Sequence, residues 1–209
     1  MKTIVVLGNG RSGTSMTTGI LKILGVNMDA RENPNEFNPR GDFESMDAYN
    51  INLKILRGTR WQDFLTSLPI YEDILKQGDN VKEDIQNFIK SKSSEMWGWK
   101  NPETTMTIEL YLPYLENPHF VIMGRNPIKT AESIMKMTKI DFYCASKVYN
   151  YFQDVLLRFT EKHKDLPKMF LCFEDIFQDP IKEAKRLAEF IGLEITKEQK
   201  TKIDKFVIR

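Results

Sequence analysis

Eight residues near the amino terminus, Gly8-Asn9-Gly10-Arg11-Ser12-Gly13-Thr14-Ser15, have the composition of an anion-binding loop. Glycines there let the backbone curl so that successive amide N–H groups turn toward one negative group. The loop follows a continuously apolar run, Thr3 to Leu7, and precedes a helical pattern carried by Met16, Ile20, Ile23 and Leu24. A helix in that place adds the positive end of its dipole. The spacing matches the phosphate loop GxxxxGK[ST] with one departure: Thr14 stands where the lysine belongs. That lysine normally reaches the terminal phosphates of a nucleoside triphosphate, and the next hydroxyl holds magnesium. Arg11, earlier in the loop, offers instead a forked contact to a pair of phosphate oxygens. The arrangement suits a donor with a single 5′-phosphate bridge and no metal.

A second anion site is expected around Gly124-Arg125-Asn126-Pro127, which follows the apolar run Phe120 to Met123. Asn126 suits a helix cap and Pro127 the first helical position. Ser133, eight residues after Arg125, shares a helix face with residues 126 and 130. An arginine fork and a hydroxyl at a helix start can hold a phosphate dianion.

Elements that position these groups follow from the apolar spacing. Thr3–Leu7, Met96–Lys100, Phe120–Gly124 and Met169–Phe173 read as buried strands, because their apolar residues run on rather than alternate. Helices are expected after the loop, with Gly25 as a stop, and over 46–57, 80–92, from Pro127, 142–163 and 180–191. Strands separated by helices argue for a three-layer α/β fold, a mostly parallel sheet with helices on both faces. Both anion sites then fall at carboxyl ends of strands, where open α/β sheets bind ligands. The strand order is not readable from this pattern.

The 209 residues suit one domain, 1–209, with no repeat or linker. A net charge of +1 without a basic run argues against nucleic acid as a partner. The apolar run Ile4–Leu7 is too short for a signal core or a membrane span. Cys144 and Cys172 lack metal-ligand spacing and form no disulfide framework, which favours a reducing, cytoplasmic setting.

With these segments in view, the chain resembles the PAPS-dependent sulfotransferases (PAPS is 3′-phosphoadenosine-5′-phosphosulfate). The resemblance rests on RSGTS in the loop, RNPIKTAES at the second site and FEDIFQDPIKEAKRLAEFIGL further on, reaching about residue 193. It implies a P-loop nucleotide-kinase-like sulfotransferase fold and transfer of a sulfuryl group from PAPS to a hydroxyl or amine, releasing PAP. It implies that Arg11, Ser12, Gly13, Thr14 and Ser15 hold the 5′-phosphosulfate and that Arg125 and Ser133 hold the 3′-phosphate. Phe173 falls where such enzymes place an aromatic against adenine, and it suits a plain core role equally. Lys100 matches a catalytic lysine, although Asn101-Pro102 follows it in place of the histidine segment of the small-molecule branch, and the late arginine-lysine-glycine cluster of that branch is missing.

Arg11 and Lys100 are therefore the candidate cations for the leaving phosphate. Arginine in the loop resembles the members that use a glutamate as base. Glu44 is the first candidate and Glu36 the second, both in a polar loop where Phe37 and Phe43 can desolvate a carboxylate. His119, before the FVIM strand, and His163, in EKHKD, read as surface residues. Trp61, Trp97, Trp99 and the ten methionines read as core packing. Two other readings compete: a phosphate-loop kinase for a small molecule, which Thr14 argues against, and a non-catalytic nucleotide-binding protein.

Overall fold

The computed structural model describes residues 1–59 and 67–207, so Trp61 lies outside the described residues. In chain order, β1 (Lys2–Leu7) leads to α1 (Thr14–Leu24), and β2 (Asn27–Asp29) to α2 (Met46–Arg57), α3 (Tyr71–Leu75) and α4 (Gly78–Lys90). β3 (Met96–Lys100) leads to α5 (Thr104–Tyr111), and β4 (Pro118–Gly124) to α6 (Pro127–Thr138) and α7 (Phe142–Lys162). β5 (Lys168–Cys172) is followed by α8 (Phe173–Gln178), α9 (Pro180–Ile191) and α10 (Lys197–Phe206).

The strands form one parallel sheet in the order β2-β3-β1-β4-β5. Both faces are covered, which is why the central strands are apolar throughout. Val5 and Leu7 of β1 and Phe120 and Ile122 of β4 face a core with α2, α4, α5 and α7, whereas Ile4, Val6, Val121 and Met123 face α1, α9 and α10. Trp97 and Trp99 stack on the first face with ring centroids 5.3 Å apart, as core residues do.

Chain order and sheet order part company around β1. The chain leaves β1 for β2 beyond β3, and later crosses from β3 to β4 on the other side of β1. Such a reversal opens a crevice at the carboxyl ends of the strands. The register aligns those ends, with Val6 beside Lys100, Leu7 beside Ile122 and Gly124 beside Cys172. The segments following β1, β3, β4 and β5 therefore open on one side of the sheet.

Several elements carried no readable period. In α5 the residues Thr104 to Ile108 are all buried, so no polar face marks it as a helix. α10 is the opposite case, almost wholly polar, with Ile203 its buried residue and a Thr196–Gln199 capping box fixing its start. Phe173, expected to end a strand, instead opens α8 and is half-buried.

Candidate active site

The phosphate loop is built by short-range bonds. Ser12 Oγ donates to the main-chain oxygen of Asn9 at 2.7 Å and the Ser12 amide donates to the same oxygen at 3.3 Å. Ser12 is fully buried, so its hydroxyl braces the loop from inside, and it does not line the cavity. The Gly8 amide donates to Thr105 Oγ1 at 2.9 Å, and that hydroxyl donates to Gly8 O at 3.1 Å. The start of α5 is thereby pinned to the base of the loop.

Gly13 caps α1 at φ 97°, and an added Cβ would lie 2.7 Å from Phe173 Cδ2. Glycine is required there on both counts. Gly13 offers no side-chain cap, so the first amides of α1 keep donors to give to a ligand. Gly13, Thr14 and Ser15 all line the cavity above the loop, and Ser15 Oγ donates to the main-chain oxygen of Asp42 at 2.8 Å.

The two expected anion sites meet in one connected unit. Arg11 has a positive φ of 71°, unusual for a residue with a side chain. Its guanidinium donates to Ser133 Oγ at 3.0 Å, Asn38 Oδ1 at 3.0 Å and Phe37 O at 2.9 Å. Arg125 Nη1 donates to the main-chain oxygen of Arg11 at 2.9 Å. Arg125 lies over the Phe173 ring, 4.2 Å from its centroid. Burial, and then the charge of Arg125, lowers the pKa of Arg11. Arg125 Nε is shut off from solvent with no hydrogen-bond partner among the described residues. Its nearest carboxylate oxygen, Glu174 Oε1, is 4.0 Å away. Two crowded guanidinium groups and an unmatched buried donor fit an anion at this place.

On the opposite rim, at the end of β3, Lys100 is 1% exposed and its Nζ lies 3.0 Å from Glu44 Oε1. Burial lowers the Lys100 pKa, and the Glu44 charge opposes that effect. Asn101 Nδ2 donates to Glu44 Oε2 at 3.4 Å, and the Ser45 amide to Lys100 O at 2.9 Å, tying the Glu44 loop to the strand end. Phe43 is buried edge-on to Phe206 with centroids 5.9 Å apart.

Glu36 is exposed at the tip of a tight turn closed by Asn35 and Asn38, and it does not line the cavity. The structure thus separates it from the other candidates. His119 is in β4 itself, its ring 5.4 Å from that of Phe190, and burial lowers its pKa. His163 Nε2 is 2.9 Å from Glu109 Oε1. Both histidines are half-buried packing residues rather than surface ones, and neither reaches the cavity.

Sequence reasoning missed Glu103, which lines the same cavity two residues after Asn101. Burial first, and then the Glu44 charge, raises its pKa. Its signal was available as a second acid directly after Asn101-Pro102 at a strand end.

The cavity has a volume of about 540 Å³. Arg11, Arg125, Glu44, Lys100 and Glu103 occupy its polar half, and Ile134, Met137, Ile140, Val148 and Phe152 of the α6–α7 side form an apolar wall. Phe173 and Phe37 are shared with a smaller aromatic recess of about 170 Å³ reaching Phe177 and Phe206. Among the described residues, no group of three or more His, Cys, Asp or Glu side chains is placed to hold a metal, and no helix is long and apolar enough to cross a membrane.

Comparison with known proteins gives a consistent picture. The profile described as "Sulfotransferase family" matches residues 3–197. A stretch of 54 residues is 41% identical to the flavonol sulfotransferase-like protein of Flaveria bidentis, covering 25% of this chain and 18% of that protein. The match therefore spans under a fifth of that relative. Among solved structures, the sulfotransferase domain from the curacin biosynthetic pathway aligns with a TM-score of 0.61 at 13% identity, over 94% of this chain and 75% of that one. Retinol dehydratase in complex with androsterone and inactive cofactor PAP aligns with a TM-score of 0.51 at 14% identity, over 99% of this chain and 64% of that one. At such identities the likeness concerns the fold.

Proposed function

The chain belongs to the sulfotransferase family, and from that membership we propose that residues 1–209 act as one domain that moves a sulfuryl group from PAPS to an acceptor hydroxyl, releasing PAP. The observation that carries this reading is the junction of Arg11, Arg125 and Ser133 beside a phosphate loop without its lysine. It offers two guanidinium groups and free helix amides to a nucleotide with phosphate at both ends, and Thr14 stands where triphosphate chemistry needs a lysine.

In this reading Gly13, Thr14 and Ser15 hold the 5′-phosphosulfate through the first amides of α1. Arg125 and Ser133 hold the 3′-phosphate, and Phe173, at the cavity edge, supports the base. Arg11 bridges the two ends and Lys100 offsets charge on the leaving phosphate oxygen. The acceptor oxygen forms a bond to sulfur as the bond from sulfur to the 5′-phosphate breaks. The acceptor proton passes to a carboxylate of the Lys100 cluster, a role the sequence assigned to Glu44. Glu36, outside the cavity, has no part.

The α6–α7 wall supports an acceptor with an apolar body. Its polar groups are committed elsewhere: Ser133 faces Arg11 and the 3′-phosphate site, and Thr138 Oγ1 donates to Ile134 O at 2.8 Å. A polyhydroxylated acceptor would lose hydration there without replacement. The working place of such a protein is the cytoplasm, in keeping with two unpaired cysteines.

A thermal-shift comparison tests the donor. PAP should stabilise the protein without metal by an amount that grows with its concentration, and ATP with magnesium should not. The reverse pattern would favour a kinase, and binding of PAP without label transfer from PAPS to any acceptor would favour a non-catalytic nucleotide-binding protein.

A further inference from the structure

The mechanism above leaves one acid of the cavity unused. Glu103 lines the cavity three residues after Lys100, in a turn where the Thr104 amide donates to Asn101 O at 3.0 Å and the Thr105 amide to Pro102 O at 3.1 Å. Thr105, two residues on, is bonded to Gly8 at the base of the loop, which ties the Glu103 turn to the phosphate loop. Glu103 Oε2 is closed to solvent and has no hydrogen-bond partner among the described residues, although the side chain lines the cavity. A buried carboxyl oxygen without a partner is costly and waits for a donor.

Glu44 is placed differently. Its Oε1 is 3.0 Å from the Lys100 ammonium and its Oε2 accepts from Asn101 at 3.4 Å. Both Glu44 oxygens therefore already accept a donor, whereas Glu103 Oε2 accepts none among the described residues. A general base needs a lone pair directed at the proton it removes.

We propose that Glu103, rather than Glu44, takes the acceptor proton, and that Glu44 is a positioning residue that holds Lys100 at the leaving oxygen. The proposal rests on the sulfuryl-transfer reading of this site. As the acceptor oxygen bonds to sulfur, its proton moves to the Glu103 carboxylate, and the electron pair of the broken S–O bond stays on the 5′-phosphate. Burial and the Glu44 charge move Glu103 upward toward a pKa useful for that task. The charged groups facing the cavity around it are Lys100 of β3, Glu44 of the loop before α2, Arg11 of the phosphate loop and Arg125 after β4; Asp42, on the Glu44 loop, adds its charge through Lys100.

The test compares Glu103→Gln, Glu103→Asp and Glu44→Gln for PAP stabilisation and for transfer of labelled sulfate from PAPS to 2-naphthol across pH. Glu103→Gln should keep the PAP shift, lose about 100-fold or more in kcat, and lose the acid limb of the pH–rate profile. Glu103→Asp should recover part of the rate, and Glu44→Gln should slow turnover while keeping the acid limb. A Glu103→Gln enzyme within about threefold of wild type, or loss of the acid limb in Glu44→Gln alone, overturns the assignment. A second readout needs no acceptor: a protonated-carboxyl infrared band that titrates above the range of the ordinary acids should be present in the wild-type protein and absent in Glu103→Gln. Its persistence in that variant overturns the proposal as well. Failure of PAP to stabilise any of the four proteins would instead strike the donor reading.

Discussion

Arg125 donates through Nη1 to the main-chain oxygen of Arg11 at 2.9 Å, and so holds a residue whose own backbone lies at a φ of 71°. One guanidinium thus sets the loop conformation from which the other reaches Ser133. The strain at Arg11 is offset by that contact and by the three bonds of its side chain.

Arg125 is assigned to the 3′-phosphate, so Arg125→Ala should weaken PAP more than adenosine 5′-phosphate, which lacks that group. A charge-assisted bond contributes about 1.5–3 kcal/mol, or roughly 10- to 100-fold in affinity. Calorimetric titration with both nucleotides measures the difference, and equal losses would contradict the role.

At Arg11 the backbone and the side chain can be separated. Arg11→Gly and Arg11→Ala should both lose PAP affinity, because neither carries a guanidinium. The alanine variant must still adopt the left-handed conformation, at a cost of about 1–2 kcal/mol that glycine avoids. Thermal denaturation without nucleotide should therefore show the glycine variant melting higher.

Lys100 provides a pH test with a definite sign. Burial holds its folded pKa below the ordinary 10.5, so on unfolding the lysine gains protons in the window between the two values. The unfolded state binds more protons there, and stability should rise with pH through that window. Lys100→Met should flatten this rise in denaturant titrations, fold normally, and lower kcat by about 100- to 1000-fold, the scale of an electrostatic contact to a developing anion.

On the acceptor wall, Met137 is 41% exposed, so the fold should tolerate a charge there. Met137→Lys should raise KM for 2-naphthol by about 10-fold, the effect of roughly 1.4 kcal/mol of lost apolar contact. PAP affinity should be unchanged. A variant with unaltered KM would remove this wall from the acceptor site.

Sequence alone determined the features that depend on neighbours in the chain. A run such as Ile4–Leu7, glycines at 8 and 13, and the Asn126-Pro127 cap each act over a few residues, so strand, loop and helix were legible in them. The same locality made Arg125 recognisable as a group at a strand end, whereas Lys100 and Glu44 were singled out by the family resemblance. Only the tertiary structure decided which of these groups meet. Arg11 reaches Ser133 across 122 residues, and Lys100 meets Glu44 across 56, because the strand order brings distant segments to one rim. Whether a carboxyl is exposed like Glu36, paired like Glu44 or shut in like Glu103 depends on burial and partners, quantities that spacing along a chain does not encode.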